Sequence, residues 1–338
     1  MTVVPIDGDA AWDAFVARDP AATFCHLAAW RSIMTDVLGH ECLYLAALDS
    51  SGAWEGVLPL VRVKAPFLGH YLISMPFLNA GGPLGTPAAR LALAGAAAAE
   101  AARSGADLLE LRAREAVPGE LRLSQRKITV GLPLPGSADQ LWAAFPAKLK
   151  SQIRRPQKEG FEARFGSEHR AAFYHVFARN MRTLGTPVLP AALFDRIATA
   201  LAEHAVFGVV YAGAEPLAAG CGFAFRDGFE LTWAASLREH SARAPNMLLY
   251  WSFMSHLIGR GVKHFDFGRC TPGGGTHRFK QQWGGTDVPL PWAQWARRDL
   301  AAPPSPERPV FRAAAACWRR LPLAFTNAVG PIIARKLP

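Results

Sequence analysis

Residues 262–285 read VKHFDFGRCTPGGGTHRFKQQWGG. The run Val262, His264, Phe265, Asp266 and Phe267 ends in Gly268-Arg269, and its pattern predicts a strand over 262–267. Gly273, Gly274 and Gly275 follow as a loop, and then comes a basic and aromatic cluster of His277, Arg278, Phe279, Lys280 and Trp283. A strand that sets an acid and an arginine at the mouth of a glycine loop has the makings of a ligand site. The segment also has a partial echo upstream. Gly105 precedes Gly261, and Glu110 precedes Asp266, by the same interval of 156 residues.

The elements around the two positions occur in the same order. In the second half, 207–211 and 218–225 read as strands joined by AGAEP. A third, 229–235, follows the Asp227-Gly228 turn, a strong hairpin signal. After the loop 237–245, Asn246 is placed to cap a broadly apolar helix to about Arg260, which Gly261 stops before the strand at 262. In the first half, 43–48 and 56–63 form a hairpin, 71–76 is a third strand, and the glycine loop NAGGPLGTP (79–87) leads into an alanine-rich helix over 87–103. Gly105 and the strand 107–111 close the unit. The expectation is a tandem duplication.

The chain has 338 residues, 50% of them hydrophobic and 19% charged, enough for two domains of ordinary size and unlike a disordered protein. Five scattered cysteines without a C-x-x-C pair argue against a disulfide framework and against a zinc site, and favour a reducing compartment. The N-terminal residues show no signal-peptide pattern, and no apolar run is long enough to span a bilayer, so a cytoplasmic location is expected. The net charge of +10 sits in two places. Residues 148–164 carry +4 and residues 297–338 carry +6. Such patches suit anionic partners, although a merely solvated basic surface explains either one alone.

A unit of β-hairpin, third strand, loop, helix and further strand resembles the GNAT (Gcn5-related acyltransferase) fold. Two copies flanking a basic segment resemble the Fem peptidyltransferase (FemAB-like) family. AKLKSQIRRPQKEGFEARFG (147–166) is similar to that family's basic interdomain stretch. HFDFGRCTPGGGTHRFKQQWGG (264–285) is similar to the FDFGRS-x-x-x-GTYRFKKQWG signature of its exosortase and exopolysaccharide-associated branch, with Cys270 in place of serine and His277 in place of tyrosine. The tail WRRLPLAFTNAVGPIIARKLP (318–338) resembles that branch as well. The resemblance implies an α/β (α+β) fold of two tandem GNAT-like domains, each a mixed, mostly antiparallel sheet flanked by helices. The first would cover 1–136 and the second 137–300, with a basic amphipathic tail over 301–338.

It further implies acyl transfer by direct attack of an amine, with no nucleophile motif competing and no cofactor or metal. The donor is aminoacyl-tRNA or acyl-coenzyme A, and the acceptor a nucleotide- or lipid-linked saccharide precursor of the cell envelope or an exopolysaccharide. The loop 237–246 lacks the glycines of a coenzyme-A pyrophosphate loop, and NAGGPLGTP has glycines but no basic residue, which favours the tRNA-linked donor. A non-catalytic scaffold is the competing reading from another class.

Asp266 and His277 are the candidate catalytic residues, Asp266 as a base or amine-orienting group and His277 for proton transfer. An ion pair from Asp266 to Arg269 or Arg278 is an equal alternative. Lys150 and Arg154, on a helix that Pro156 is expected to end, together with Arg243, Arg269 and Lys280, are candidates for anionic groups. Asn246 is a donor contact or simply the cap. Phe279 and Trp283 stack on a base, wall the pocket or fill the core. His264 is expected to pack within the strand, and Cys270 to be a small pocket residue. The tail pairs apolar residues with arginines and reads as a peripheral element at an anionic membrane surface, with packing on the second domain as the alternative.

Overall fold

The computed structural model describes residues 1–66, 69–297 and 309–337. These form two compact units. Met1–Ile128 and the strand around Trp292 belong to the first; Thr129–Val288 and the C-terminal helices to Ala334 belong to the second. The division falls at 128/129 and 288/289, against the expected 136/137. The expected boundary at 300/301 lies outside the described residues.

The first unit opens with β1 (Thr2–Pro5), α1 (Asp9–Arg18) and the short α2 (Ala29–Ser32). The repeat follows as β2 (Glu41–Leu48), β3 (Trp54–Ala65), β4 (Gly69–Ile73), β5 (Leu84–Gly85), α3 (Pro87–Arg103) and β6 (Leu108–Leu111), and then β7 (Arg122–Ser124). Thr86 caps α3 through its hydroxyl and Pro87 occupies the first helical position, where a missing N–H costs nothing. The buried face of α3 is Ala89, Leu93, Ala94, Ala97 and Ala101, packed on Leu45, Leu58, Leu60, Leu72 and Leu109 of the sheet. Small residues bring this helix close to the strands; a Cβ at Gly56 would lie 2.8 Å from that of Ala89.

The second unit runs β8 (Ile128–Pro133), α4 (Ala138–Ala144), α5 (Ala147–Lys158), β9 (Phe161–Phe165), α6 (Arg170–Leu184) and α7 (Ala191–Ala200). Its repeat is β10 (Ala205–Ala212), β11 (Glu215–Phe225), β12 (Gly228–Ser236), α8 (Pro245–Ile258) and β13 (His264–Cys270), followed by α9 (Gly275–Gln281) and β14 (Thr286–Pro289). The chain then returns to the first sheet as β15 (Trp292–Ala296) and ends in α10 (Pro309–Trp318) and α11 (Leu323–Ala334).

Both sheets are mixed and carry helices, as the duplication requires. The orders are β1-β2-β3-β4-β6-β15-β7, with β5 beside β3, and β14-β8-β13-β12-β11-β10-β9. Each repeat is an antiparallel meander closed by one parallel pair, β4 with β6 and β12 with β13. The last register pairs of those ladders are Ile73 with Glu110 and Glu230 with Asp266. The two acids singled out by their spacing thus occupy the same place in the two sheets.

Several local expectations are corrected. Pro156 does not end its helix: α5 continues to Lys158 with Pro156 on the buried face beside Leu149 and Ile153. Only the final turn loses a backbone hydrogen bond to it. Asn246 is not the cap of α8. That place belongs to Ala244 in the left-handed region at φ 56°, and Pro245 takes the first helical position. The segment after Gly274 is a helix, not a loop. His264 is exposed at the start of β13 rather than packed. Pro322 separates α10 from α11, whereas Pro331 lies inside α11.

Candidate functional site

Strands β12 and β13 pair over only three residues: Gly228 with His264, Phe229 with Phe265, and Glu230 with Asp266. Beyond that point β12 continues to Ser236 along β11, and β13 continues to Cys270. Among the described residues no strand covers the β13 side of β12 past Glu230. The ladder between the two strands ends there, and a notch is left at its end. Gly268 lets β13 pass close to β12 where the ladder ends. Its φ is +74°, and a Cβ there would stand 2.7 Å from the Leu231 carbonyl oxygen, so no other residue passes β12 at this distance.

The base of the notch is polar and buried. Asp266 is 9% exposed and accepts hydrogen bonds from the Thr129 hydroxyl on β8 and from the Gly268 N–H at 2.7 Å. Glu230, directly across the ladder, accepts from Thr232 at 3.1 Å. Lys280, on α9, is 3% exposed and donates to the carbonyls of Gly268 at 2.5 Å and Arg269 at 3.1 Å. Burial pulls the Lys280 ammonium below the usual lysine range, while Cys270, Asp266 and Glu230 act in the opposite sense. Lys280 is therefore a buried clamp on the end of β13.

His277 is equally committed. Its Nδ1 accepts the Gly273 N–H at 3.0 Å, which puts the ring proton on Nε2, and Nε2 donates to both oxygens of Asp287 at 2.9 Å. Arg278 donates to the Gly273 carbonyl at 3.0 Å. Together they tie the glycine turn to α9 and β14.

The aromatic candidates belong to one cluster. Trp283 is fully buried, with ring centroids 5.6 Å from Phe145, 6.0 Å from Tyr250 and 6.3 Å from Phe279. Phe279 is half-buried at 5.0 Å from Tyr250. Trp283 is a core residue, although its indole N–H is buried without a hydrogen-bond partner. Tyr250 is a residue that sequence reasoning missed. It sits on α8 against Phe267 and Phe279, and burial raises its hydroxyl well above the usual range.

The basic candidates divide. Leu149, Ile153 and Pro156 hold α5 to the unit and leave Lys148, Arg154, Arg155 and Lys158 exposed as a cationic face. Lys150 donates to the Ala143 carbonyl at 3.0 Å, and Arg154 lies over Trp142 at 5.2 Å. Arg243 is engaged with Glu159 at 2.5 Å and lies 4.4 Å above Phe161, so it holds the 237–246 turn to the start of β9. Asn246 is half-buried in the first turn of α8, and Arg269 is half-buried at the end of β13.

The first unit has its own cleft of about 820 Å³ beside the glycine loop and the start of α3. Arg18, Arg90 and Arg114 line it, supplying from other elements the cations that the loop lacks. Its wall is pinned by His26, whose Nε2 donates to the Gly82 carbonyl at 2.9 Å while Nδ1 accepts the Thr23 N–H at 3.1 Å. In contrast to the notch, β4 stops at Ile73, and the Ser74 hydroxyl takes the Arg112 N–H at 2.6 Å. Glu110 is here paired with Arg112 at 2.8 Å and accepts a hydrogen bond from the Gln294 amide at 2.7 Å. Both parallel pairs ladder over three residues; in the first unit the Ser74 N–H also donates to the Glu110 carbonyl at 3.0 Å past the end of β4.

Comparison with known proteins agrees with this geometry. Residues 145–281 match the model of the acetyltransferase (GNAT) domain. No protein of curated function is a significant sequence match. Among solved structures, FemX superposes with a TM-score of 0.64 at 16% identity, covering 88% of this chain and 97% of its own. The C-terminal domain of a putative lysylphosphatidylglycerol synthetase from Agrobacterium fabrum gives 0.56 at 12% identity, covering 90% and 92%. A tandem GNAT protein of the clavulanic acid biosynthesis pathway gives 0.52 at 13%, covering 90% and 99%. The chain has the tandem GNAT fold, and its second unit carries a GNAT-type acyltransferase domain.

Proposed function

We propose that the protein transfers an aminoacyl or acyl group to an amine of a cell-envelope or exopolysaccharide precursor, in the notch of the second unit. The observation that carries this reading is the parallel pair β12–β13, whose ladder ends after three residues while both strands run on. An acyl carbonyl laid along the open edge of β12 meets fixed N–H groups that polarise it and stabilise the oxyanion as the amine nitrogen attacks. The new C–N bond forms as the ester or thioester bond breaks, and the proton lost by the amine leaves with the displaced alcohol or thiol. Asp266, His277 and Lys280 are held by protein partners, so they serve as positioning residues and proximity supplies most of the rate.

An aminoacyl-tRNA donor is favoured by the exposed cations of α5, which suit a phosphate backbone, and by the engagement of Arg243 in the glycine-free turn. The test incubates the purified chain with tRNA carrying a labelled amino acid, and separately with labelled acetyl-coenzyme A, and follows label into amine acceptors. Transfer from the RNA, weakened by Arg154→Gln/Arg155→Gln and by added salt, supports the proposal. Transfer from coenzyme A alone assigns the chain to conventional N-acyltransfer, and a double failure with no thermal shift supports the scaffold reading.

A further inference from the structure

Helix α11 is built inside out. A surface helix ordinarily turns its large apolar residues inward and its small or polar ones to solvent. In α11 the buried positions are Thr326, Gly330 and Ala334, four residues apart. A Cβ at Gly330 would stand 3.0 Å from the Val188 N, so that face is made for close approach. Two large residues point the other way: Phe325 is 48% exposed and Ile332 is 55% exposed, while Leu323, Val329 and Ile333 are half-buried. Leu184, at the end of α6, is 54% exposed. It joins the same surface, because Arg319 donates to the Leu184 carbonyl at 3.2 Å and Arg182 to the Leu321 carbonyl at 2.6 Å.

The charge of the segment that carries this apolar surface is of one sign. No acidic residue follows Glu307, whereas Arg312, Arg319 and Arg320 are exposed on or just after α10. Protruding apolar side chains with an unmixed cationic border are the composition that enters the headgroup layer of an anionic bilayer. The helix has 12 residues, about 18 Å at 1.5 Å per residue, far short of a hydrocarbon core. No helix among the described residues is long and apolar enough to cross a membrane. We infer that the face formed by α10 and α11 docks on an anionic phospholipid surface, lying on it with Phe325 and Ile332 inserted and the arginines at the phosphates. The inference is independent of the transfer chemistry, since its test reads binding.

The full chain is sedimented with vesicles of phosphatidylcholine alone and with vesicles that also contain phosphatidylglycerol. Binding to the second kind only is expected. Arg312→Gln/Arg320→Gln should weaken it by about fivefold per charge, equivalent to about 1 kcal/mol each. Phe325→Ser/Ile332→Ser should weaken it at least about tenfold. All four positions are exposed, and an unchanged thermal midpoint in each variant shows that the fold is kept. Equal binding to both vesicle types, no binding to either, or unaltered binding by Phe325→Ser/Ile332→Ser would overturn the inference. So would a concentration-dependent dimer that the same substitutions dissolve, which would make the face a protein interface.

Discussion

Lys280 spends its charge inside the protein. Its ammonium satisfies two strand-end carbonyls and faces two carboxylates, so Lys280→Met leaves acceptors buried without a donor and carboxylates without their cation. We expect a loss of about 3 kcal/mol, read from urea unfolding. His26 gives the clearest dependence on pH. Burial pulls it from 6.5 to about 4, so the unfolded chain binds a proton that the folded one refuses. The associated stability is present above pH 6.5 and falls away as the pH drops toward 4, by about 3 kcal/mol in all. Urea midpoints at pH 7 and 4.5 should show this loss in the wild type and little of it in His26→Gln. His40, also pulled down to about 4 by burial, adds a parallel loss to both proteins, so the difference between them reports on His26.

At the scale of elements, the notch depends on one residue without a side chain. Gly268→Ala must accept a left-handed backbone and a contact with the Leu231 carbonyl, and should cost about 2 kcal/mol or more while depressing transfer activity. The α9 segment poses a sharper choice. If His277 positions the glycine turn, His277→Ala lowers the melting temperature and speeds hydrogen exchange of the Gly273 amide. If it transfers a proton in the reaction, turnover collapses with both readouts unchanged. The elements of the repeat were legible because their periods and punctuating glycines are local signals. Helix α9 was not, because Gly273, Gly274 and Gly275 at its start read as loop, and its stability comes from Lys280 and His277 reaching remote partners. The cap of α8 was misread for a similar reason: Asn246 is the stronger capping residue, but Pro245 sets the backbone one position earlier. Basic residues for the cleft of the first unit were invisible beside its loop, because Arg18 and Arg114 come from the end of α1 and from beyond β6.

At the scale of the molecule, the two units are interleaved along the chain. β15 lies between β6 and β7, with Ala293 opposite both Leu111 and Leu123 and with Trp292 stacked under Arg112 at 4.7 Å. A chain ending at residue 288 should therefore lose the first unit's cooperative unfolding, whereas one ending at 297 should keep it; limited proteolysis of the two separates the cases. Nothing local in the sequence announced this return, since 292–296 directly follows the second repeat. It also sets an order on biosynthesis. The ribosome makes β6 long before β15, and the gap between residues 111 and 292 takes roughly 10–30 s at ordinary elongation rates. During that interval the Leu108–Leu111 edge, buried in the finished protein, is open to solvent and to other nascent chains. The half synthesised first cannot close its sheet until most of the second has been made, and a chaperone that shields that edge should raise the yield of folded protein more than one acting on the second half.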